Sequence, residues 1–450
     1  MKLNLKNPVK RSAFNKQFHI ANPENYRLLV LAFVIGCIVG VLGSGFRLTL
    51  ENLDNYRKIV QASAHSGSIL HIGSIALGSV CAIALSLYLI KKFAPEASGS
   101  GIHEIEGALD NVRPVRWKRV IPVKFIASLL SLGSGLLLGR EGPTIQIGAN
   151  VGRMVKDLTS QPDVEDNSLI SAGASAGLSV AFNAPLSGIL FVIEEMHEHF
   201  KFTFFSVATI MIGAGTGDFV SRLILGDHPE FMFQAFAAPL LKEYWLFSVL
   251  GIAFGVIGLI FNKMLISSMN FVQHYLKSKI LPIALISGLL IAGTGILNPK
   301  LVGGGYDLIN SLLADSPGLV VLVFLFGTRF ILSLFSYSTG TAGGIFLPLL
   351  TLGALLGMIF GVGFNMLFPY MGINPLSFAI AGMAAIFAAT IRAPLTGLVL
   401  AVEMTANYGM MLPLIITSVS ASVITVLLGN EPIYATLLRR ILMNSAAADQ

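Results

Sequence analysis

The stretch FILSLFSYSTGTAGGIFLPLLTLGALLGMIFGVGFNMLFPYMGINPLSFAIAGMAAIFAATI, residues 330–391, holds 62 residues without one Asp, Glu, Lys or Arg. A membrane helix needs about 20 apolar residues, so this length predicts several membrane elements joined by uncharged turns. A second charge-free run, Leu28 to Phe46, is 19 residues long and predicts a first membrane helix. The whole chain of 450 residues is 54% hydrophobic and 12% charged, whereas soluble domains carry about 25% charged residues.

The length of the apolar runs indicates helices. Only helices and closed barrels satisfy their backbone groups in lipid, and a barrel would show alternation in segments of about ten residues. We therefore expect an all-α polytopic membrane protein. The two cysteines, Cys37 and Cys81, lie in apolar runs without metal-ligand spacing. We expect them to fill core space, and we expect no metal site.

Basic residues predict the orientation in the membrane, because they favour the cytoplasmic side. Residues 1–27 contain six Lys or Arg against one acid, Glu24, and a second basic segment runs from Lys91 to Lys124. Arg439 and Arg440 lie near the C-terminus. The pattern predicts a cytoplasmic N-terminal segment over residues 1–27 and a cytoplasmic C-terminus. These segments account for the net charge of +6 without a nucleic-acid partner.

The chain contains an internal repeat. Residues 172–194 are matched 209 positions later by residues 381–403, with Ala-Pro-Leu-Ser-Gly at 184–188 opposite Ala-Pro-Leu-Thr-Gly at 393–397. Upstream, four residues recur 205 positions later: Gly139, Pro143, Gly148 and Ala149 as Gly344, Pro348, Gly353 and Ala354. The repeat predicts two halves, approximately 28–230 and 240–440, separated by a polar break at 227–230. Paired halves are typical of transporters, and the repeat alone leaves parallel and inverted arrangements open.

Four segments interrupt apolar runs with Gly or Pro. They are Gly99-Ser100-Gly101-Ile102, Gly139-Arg140-Glu141-Gly142-Pro143, Gly303-Gly304-Gly305 and Gly343-Gly344-Ile345-Phe346-Leu347-Pro348. Each is interpreted as a loop that leads into a helix N-terminus, where unpaired N–H groups attract anions. A turn or a packing contact is the alternative for any one of them. Ser100 adds a hydroxyl donor, whose alternative role is an N-cap.

Four residues carry further candidate chemistry. An acid such as Glu141 inside a membrane run usually marks an ion or proton path, although it could also stabilise a helix dipole at the surface. Glu194 and Glu195 end a 27-residue uncharged run. They form either a solvated helix end or a site where one of them is an inner proton acceptor. Tyr434 is either an interfacial anchor or a donor to an anion.

Other activities lack their motifs. The sequence contains no Gly-Lys dipeptide, which excludes an ATP-driven pump of the Walker type within this chain. His103-Glu104 begins like a metalloprotease motif, but Gly107 stands where the second zinc ligand belongs. No Gly-x-Ser-x-Gly elbow accompanies a suitable base.

At these segments the sequence resembles the chloride channel and transporter (CLC) family, and especially its bacterial proton/chloride exchangers. The resemblance spans nearly the whole chain and rests on Gly-Ser-Gly-Ile-x-Glu at 99–104, Gly-Arg-Glu-Gly-Pro at 139–143, Gly-Gly-Ile-Phe-x-Pro at 343–348 and Tyr434. It implies a homodimer with one pore per subunit, each built from two inverted halves of short, tilted helices. It also implies no C-terminal nucleotide-binding domains, since only ten residues follow Arg440.

The resemblance also implies roles for individual residues. Ser100 and Tyr434 would coordinate chloride through their hydroxyls, and Ile345 and Phe346 through their backbone amides. Glu141 would be the external gating glutamate, and Glu195 the internal proton glutamate that is typical of exchangers. One departure is His103, which stands where the family usually has Pro, so the stiffness of that loop is open.

The sequence therefore predicts an electrogenic proton/chloride antiporter in a bacterial inner membrane, with chloride as its ligand and no cofactor. By analogy with related bacterial exchangers, it would serve as an anion shunt in acid resistance. Three alternatives remain: a passive anion channel of the same fold, a membrane enzyme using Glu141 or His103, and an exchanger of fluoride or another anion.

Overall fold

The computed structural model describes residues 23–63, 69–159, 167–196, 203–231, 238–276, 279–314 and 317–448. Within these ranges the chain forms α-helices joined by short turns, with two isolated β-bridges and no β-sheet. The helices are α1 (Pro23–Ser63), α2 (Ile69–Phe93), α3 (Ile102–Leu109), α4 (Trp117–Gly133), α5 (Glu141–Leu158), α6 (Ser168–Phe182), α7 (Pro185–Glu195), α8 (Phe204–Leu225), α9 (Tyr244–Leu276), α10 (Ile280–Leu297), α11 (Tyr306–Ala314), α12 (Leu319–Ser338), α13 (Phe346–Leu367), α14 (Pro375–Thr390), α15 (Pro394–Thr405), α16 (Met411–Leu427) and α17 (Ile433–Ala448). The all-α prediction is confirmed.

Eight helical segments of the described chain are long and apolar enough to cross a membrane. The predicted first helix lies inside α1, and the charge-free stretch 330–391 contains the end of α12 and all of α13 and α14. Large apolar side chains such as Val320 and Leu223 are exposed on outward helix faces, as expected of a surface in contact with lipid. The chain is a multi-pass membrane protein. Residues 1–22 of the predicted N-terminal segment lie outside the described residues.

Only one of the two cysteines lies where the sequence predicted it. Cys37 is half-buried in α1, in agreement with a packing role, whereas Cys81 is exposed on α2. The expectation that both fill core space is wrong for Cys81. A lipid-facing position in a membrane helix is as apolar in sequence as a core position, so composition does not separate the two.

Homologous helices of the two halves cap one another. Glu194 at the end of α7 accepts hydrogen bonds at the start of α15, and its repeat counterpart Glu403 does the same at the start of α7. The N–H donors are Leu395 and Thr396 to Glu194, and Leu186 and Ser187 to Glu403, at 2.7–3.0 Å. Because each helix places its last turn at the first turn of the other, α7 and α15 lie antiparallel.

A second pair of equivalent residues meets at the centre. Gly139 and Gly344 form an antiparallel bridge, with the Gly139 N–H donating to the Gly344 carbonyl at 2.8 Å and the reverse bond at 2.7 Å. The bridge lies just before α5 and α13, so these helices begin close together. Both observations agree with halves related by an approximate two-fold axis, and the inverted repeat is confirmed.

The helix pairs behind this centre cross at glycine in both halves. In the first half, α5 and α6 approach so closely that a Cβ built on Gly173 would lie 2.0 Å from the Gly148 carbonyl oxygen. The equivalent pair in α13 and α14 is Gly353 and Gly382, where a Cβ on Gly382 would lie 2.2 Å from the Gly353 oxygen. Small residues at crossings let membrane helices pack backbone against backbone. These crossings fix where α5 and α13 begin.

We expect Gly173→Ala to destabilise the protein, because its methyl group would force α5 and α6 apart. Overpacking of this kind costs roughly 1–3 kcal/mol. The matched control is Gly215→Ala in α8, where a Cβ meets nothing within 4 Å. Thermal unfolding in detergent would measure the difference. A melting temperature for Gly173→Ala equal to that of the control would contradict the close crossing.

Candidate anion and proton pathway

The loops before α3, α5 and α13 are joined through their backbones. Besides the Gly139–Gly344 bridge, the Gly99 N–H donates to the Thr341 carbonyl at 3.0 Å and the Gly343 N–H donates to the Gly99 carbonyl at 2.9 Å. Three of the four glycine-rich segments singled out in the sequence therefore meet at one place. The first N–H groups of a helix have no intrahelical partner and carry partial positive charge, so this place favours an anion.

The backbone conformation around Ser100 depends on glycine. Gly99 and Gly101 have φ angles of +61° and +82°, a region that glycine enters without strain. The buried Lys124 ammonium donates to the carbonyls of Ala97 and Gly99 at 3.0 and 2.7 Å, which holds the loop in place. Ser100 is fully buried, and its Oγ accepts a hydrogen bond from the Ile102 N–H at 3.3 Å. Gly101 is the N-cap residue of α3 and no side chain caps this helix, so the alternative N-cap role of Ser100 is absent.

Tyr434 reaches this place from the second residue of α17. Its side chain is fully buried, and its ring centroid lies 5.9 Å from that of Phe346. Its hydroxyl has no hydrogen-bond partner within the described part of the chain, although a buried tyrosine hydroxyl usually has one. Full burial is incompatible with interfacial anchoring. The structure leaves a free donor beside Phe346, at the start of α13.

Glu141 is the first residue of α5 and is fully buried. A Cβ built on Gly139 would lie 2.0 Å from Glu141 Oε2, so the carboxyl group lies back over the Gly139–Gly344 bridge. It accepts a backbone hydrogen bond from Leu347 in α13, and the Tyr306 hydroxyl lies 3.4 Å from its Oε1. Its Oε2 has no partner among the described residues. The carboxyl group occupies the position where helix N-termini would hold an anion.

An ion pair that the sequence did not predict lies next to Glu141. Arg140 and Glu230 are 2.6 Å apart, and each side chain is only 4% exposed. The Arg140 guanidinium also lies 4.4 Å from the Tyr306 ring centroid. The sequence marked Glu230 only as part of a polar break, and nothing in it indicates a partner 90 residues away. The pair fixes the loop before α5 and positions Tyr306 against Glu141.

Glu195 ends α7 and is half-buried. Its carboxyl group makes a side-chain hydrogen bond with Glu106 of α3, which is 3% exposed. A hydrogen bond between two carboxyl groups requires a proton on one of them. Glu194 instead caps α15, so the structure assigns different surroundings to the two neighbouring acids. Glu106 was missed because an acid inside a short helix has no distinguishing sequence pattern.

The two acids share a neighbour. Tyr434 interacts electrostatically with Glu141 and also with Glu195 and Glu106. A buried hydroxyl with no protein partner therefore lies within range of both candidate proton groups. The structure brings together Ser100, Glu141, Ile345, Phe346 and Tyr434 at the meeting helix ends, with Glu195 farther along at the end of α7.

Comparisons with known proteins identify the family. Residues 81–426 match the model of the voltage-gated chloride channel family. The chain belongs to this family. It is 43% identical to the H(+)/Cl(-) exchange transporter ClcA of Vibrio campbellii, over 96% of this chain and 93% of that protein. It is 42% identical to the ClcA of Salmonella typhi, over 93% and 90% of the two chains.

Solved structures of CLC proteins share the fold. A slow cyanobacterial Cl-/H+ antiporter superposes with a TM-score of 0.89 at 37% identity, covering 94% of this chain and 99% of that one. A eukaryotic CLC transporter superposes with a TM-score of 0.78 at 22% identity, covering 92% of this chain and 74% of the other. The second comparison supports the fold alone.

His103, the departure from the family pattern, lies in α3 between Ser100 and Glu106. Its side chain is 5% exposed, and its Nδ1 has no hydrogen-bond partner in the described part of the chain. A group of three His, Cys, Asp or Glu residues that could hold a metal ion is absent from the described residues. His103 is therefore a buried packing residue of α3.

We expect Tyr434→Phe to weaken chloride binding, because the free hydroxyl is a donor aimed at the meeting helix ends. A hydrogen bond to a charged partner is worth about 1.5–3 kcal/mol, so the dissociation constant should rise roughly tenfold or more. Isothermal titration of the detergent-purified protein with chloride measures it. Tyr370→Phe is the control, since Tyr370 is 80% exposed. Equal dissociation constants for the two variants would remove Tyr434 from the anion site.

Proposed function

We propose that this protein is a proton-coupled chloride antiporter, a transporter and not an enzyme. The observation that carries the proposal is the buried carboxyl group of Glu141, which lies at the anion position with one oxygen unpartnered. A carboxylate there competes with chloride, and protonation removes the competitor. The names of the ClcA relatives and of the cyanobacterial antiporter support the same exchange.

The anion path uses partial charges and hydroxyls. Chloride would be bound by the hydroxyls of Ser100 and Tyr434 and by the backbone amides of Ile345 and Phe346. Both amides lie at the start of α13, where helix N–H groups lack intrahelical partners. No further cofactor is required, since chloride is the ligand and ion gradients supply the energy.

The proton path uses acids on two sides of the chloride position. Glu141 would accept a proton from the external side and move out of the anion path. Glu195, in its hydrogen bond with Glu106, would exchange protons with the other side. Because the same carboxyl group serves both ions, a chloride ion and a proton cannot pass Glu141 independently. This exclusion couples the two fluxes. The exchange is electrogenic because an anion and a proton that move in opposite directions carry current in the same direction.

The Glu106–Glu195 pair favours exchange over a passive channel of the same fold. A channel needs only the anion path, and two carboxyl groups hydrogen-bonded to each other at the far side of Tyr434 would then have no role. Buried acids in a membrane are costly unless a function retains them. The pair therefore supports antiport.

Five finer features belong to the same proposal. We place both termini in the cytoplasm, from the basic segments, and the protein in a bacterial inner membrane, from its relatives. Residues 1–27 form the N-terminal segment, with halves of approximately 28–230 and 240–440.

A homodimer would cover α7 and α15, which have 11 and 12 residues and are too short to span the membrane alone. Charge compensation during acid resistance fits an exchanger of this kind.

We expect Glu141→Gln, which resembles the protonated state, to abolish proton movement while chloride flux continues. Glu195→Gln should also uncouple the fluxes, because it removes the proton acceptor on the other side. The ratio of protons to chloride ions, measured in liposomes by external pH and chloride electrodes, tests both. Glu431→Gln is the control, since Glu431 forms an exposed ion pair with Arg439. A wild-type ratio in both Glu141→Gln and Glu195→Gln would contradict the assignments.

A further inference from the structure

One glycine-rich segment lies apart from the central site. Gly303-Gly304-Gly305 borders a cavity of about 350 Å³, here called the Tyr306 cavity, which is also lined by the second half of α1, the first turn of α11 and Arg329 of α12. Tyr306 and Leu347 line this cavity, and both contact the carboxyl group of Glu141. The cavity therefore ends at the candidate gate.

The charged side chains around the Tyr306 cavity do not balance. Six basic and four acidic residues line it, and each acid has a basic partner. The pairs are Arg140–Glu230, Arg47–Glu51, Arg57–Asp54 and Lys58–Asp307. Lys300 is exposed, which leaves Arg329 as the buried positive charge that has no ion-pair partner in the described part of the chain.

Two guanidinium groups have free donors at this cavity. The Arg57 side chain is 9% exposed, and only its Nη2 is bonded, to Asp54, while Nε and Nη1 have no partner among the described residues. Arg329 is 1% exposed and donates to the carbonyls of Lys300 and Gly303, both at 2.8 Å, and its Nε is unpartnered in the described part of the chain. No described carboxylate forms an ion pair with Arg329.

The two guanidinium groups also repel each other, since Arg57 acts electrostatically on Arg329, and the more distant carboxylate of Asp307 opposes this repulsion without forming an ion pair with Arg329. Buried donors without acceptors each cost free energy, and two like charges at a buried site add to that cost. An anion between them would satisfy the free donors and reduce the repulsion at once. The first turn of α11, whose N–H groups lack intrahelical partners, begins at Tyr306 on the same cavity.

We propose that Arg57 and Arg329 bind a small monovalent anion, with chloride as the physiological ligand, in the Tyr306 cavity. This site lies outside Glu141 and holds the next chloride ion while Glu141 occupies the central position. The inference rests on the proposed antiport only for the identity of the ion. The site itself rests on the free donors and on the excess of positive charge.

Bromide, which scatters X-rays anomalously, tests the site in the wild-type protein. Crystals grown in bromide should show an anomalous peak within contact distance of both Arg57 and Arg329. Absence of that peak, when the central site in the same crystal is occupied, would overturn the proposal. The anomalous map does not depend on transport. If the peak is present but the protein moves no protons, the peak supports the site and the missing proton movement contradicts the antiport.

Transport kinetics give a second test with a matched control. Arg57→Met should raise the apparent KM for chloride about tenfold, the loss expected for hydrogen bonds to a charged ligand, with an unchanged proton-to-chloride ratio. Lys58→Met removes the same charge from the same cavity, but its side chain is 33% exposed and its ammonium is paired with both Asp54 and Asp307. It should change the KM less than about twofold, as for exposed ion pairs. An equal change of the apparent KM in both variants would mean that only the net charge of the cavity matters, and it would overturn a specific site.

Discussion

The convergence of helix N-termini at the Gly139–Gly344 bridge is the constraint on which the rest of the structure depends. Helix starts carry partial positive charge, so bringing α3, α5 and α13 together inside a membrane is unfavourable unless negative charge lies between them. In the structure the carboxyl group of Glu141 lies there. We expect either a carboxylate or an anion at this position to offset the partial positive charge, and alternation between the two is the basis of the proposed exchange.

Residues that are equivalent in the two halves make the contacts that support the fold. Residues that differ between the halves form the candidate site. Equivalent residues join the halves in the reciprocal caps of Glu194 and Glu403. Equivalent glycine crossings pack the helices within each half. The candidate site residues differ between the halves. Glu141, for example, is equivalent to Phe346 at the 205-residue offset of the repeat.

Local sequence predicted those features that local backbone chemistry determines. The glycine-rich segments marked the starts of α3, α5, α11 and α13, because glycine and proline allow turns and first helical positions that other residues resist. Features set by distant contacts were not predictable. The Arg140–Glu230 pair and the Glu106–Glu195 hydrogen bond join residues about 90 positions apart, and only the packing of the helices brings them together. Cys81 shows the same limit, since lipid-facing and core positions are equally apolar.

The most direct test of the account measures proton movement in liposomes that contain only this protein and a chloride gradient. With the membrane potential clamped, outward chloride flow should drive protons inward against their own gradient, because one carboxyl group serves both ions. External pH would then rise as chloride leaves. Chloride efflux without any uphill proton movement would contradict the account and leave a passive anion channel.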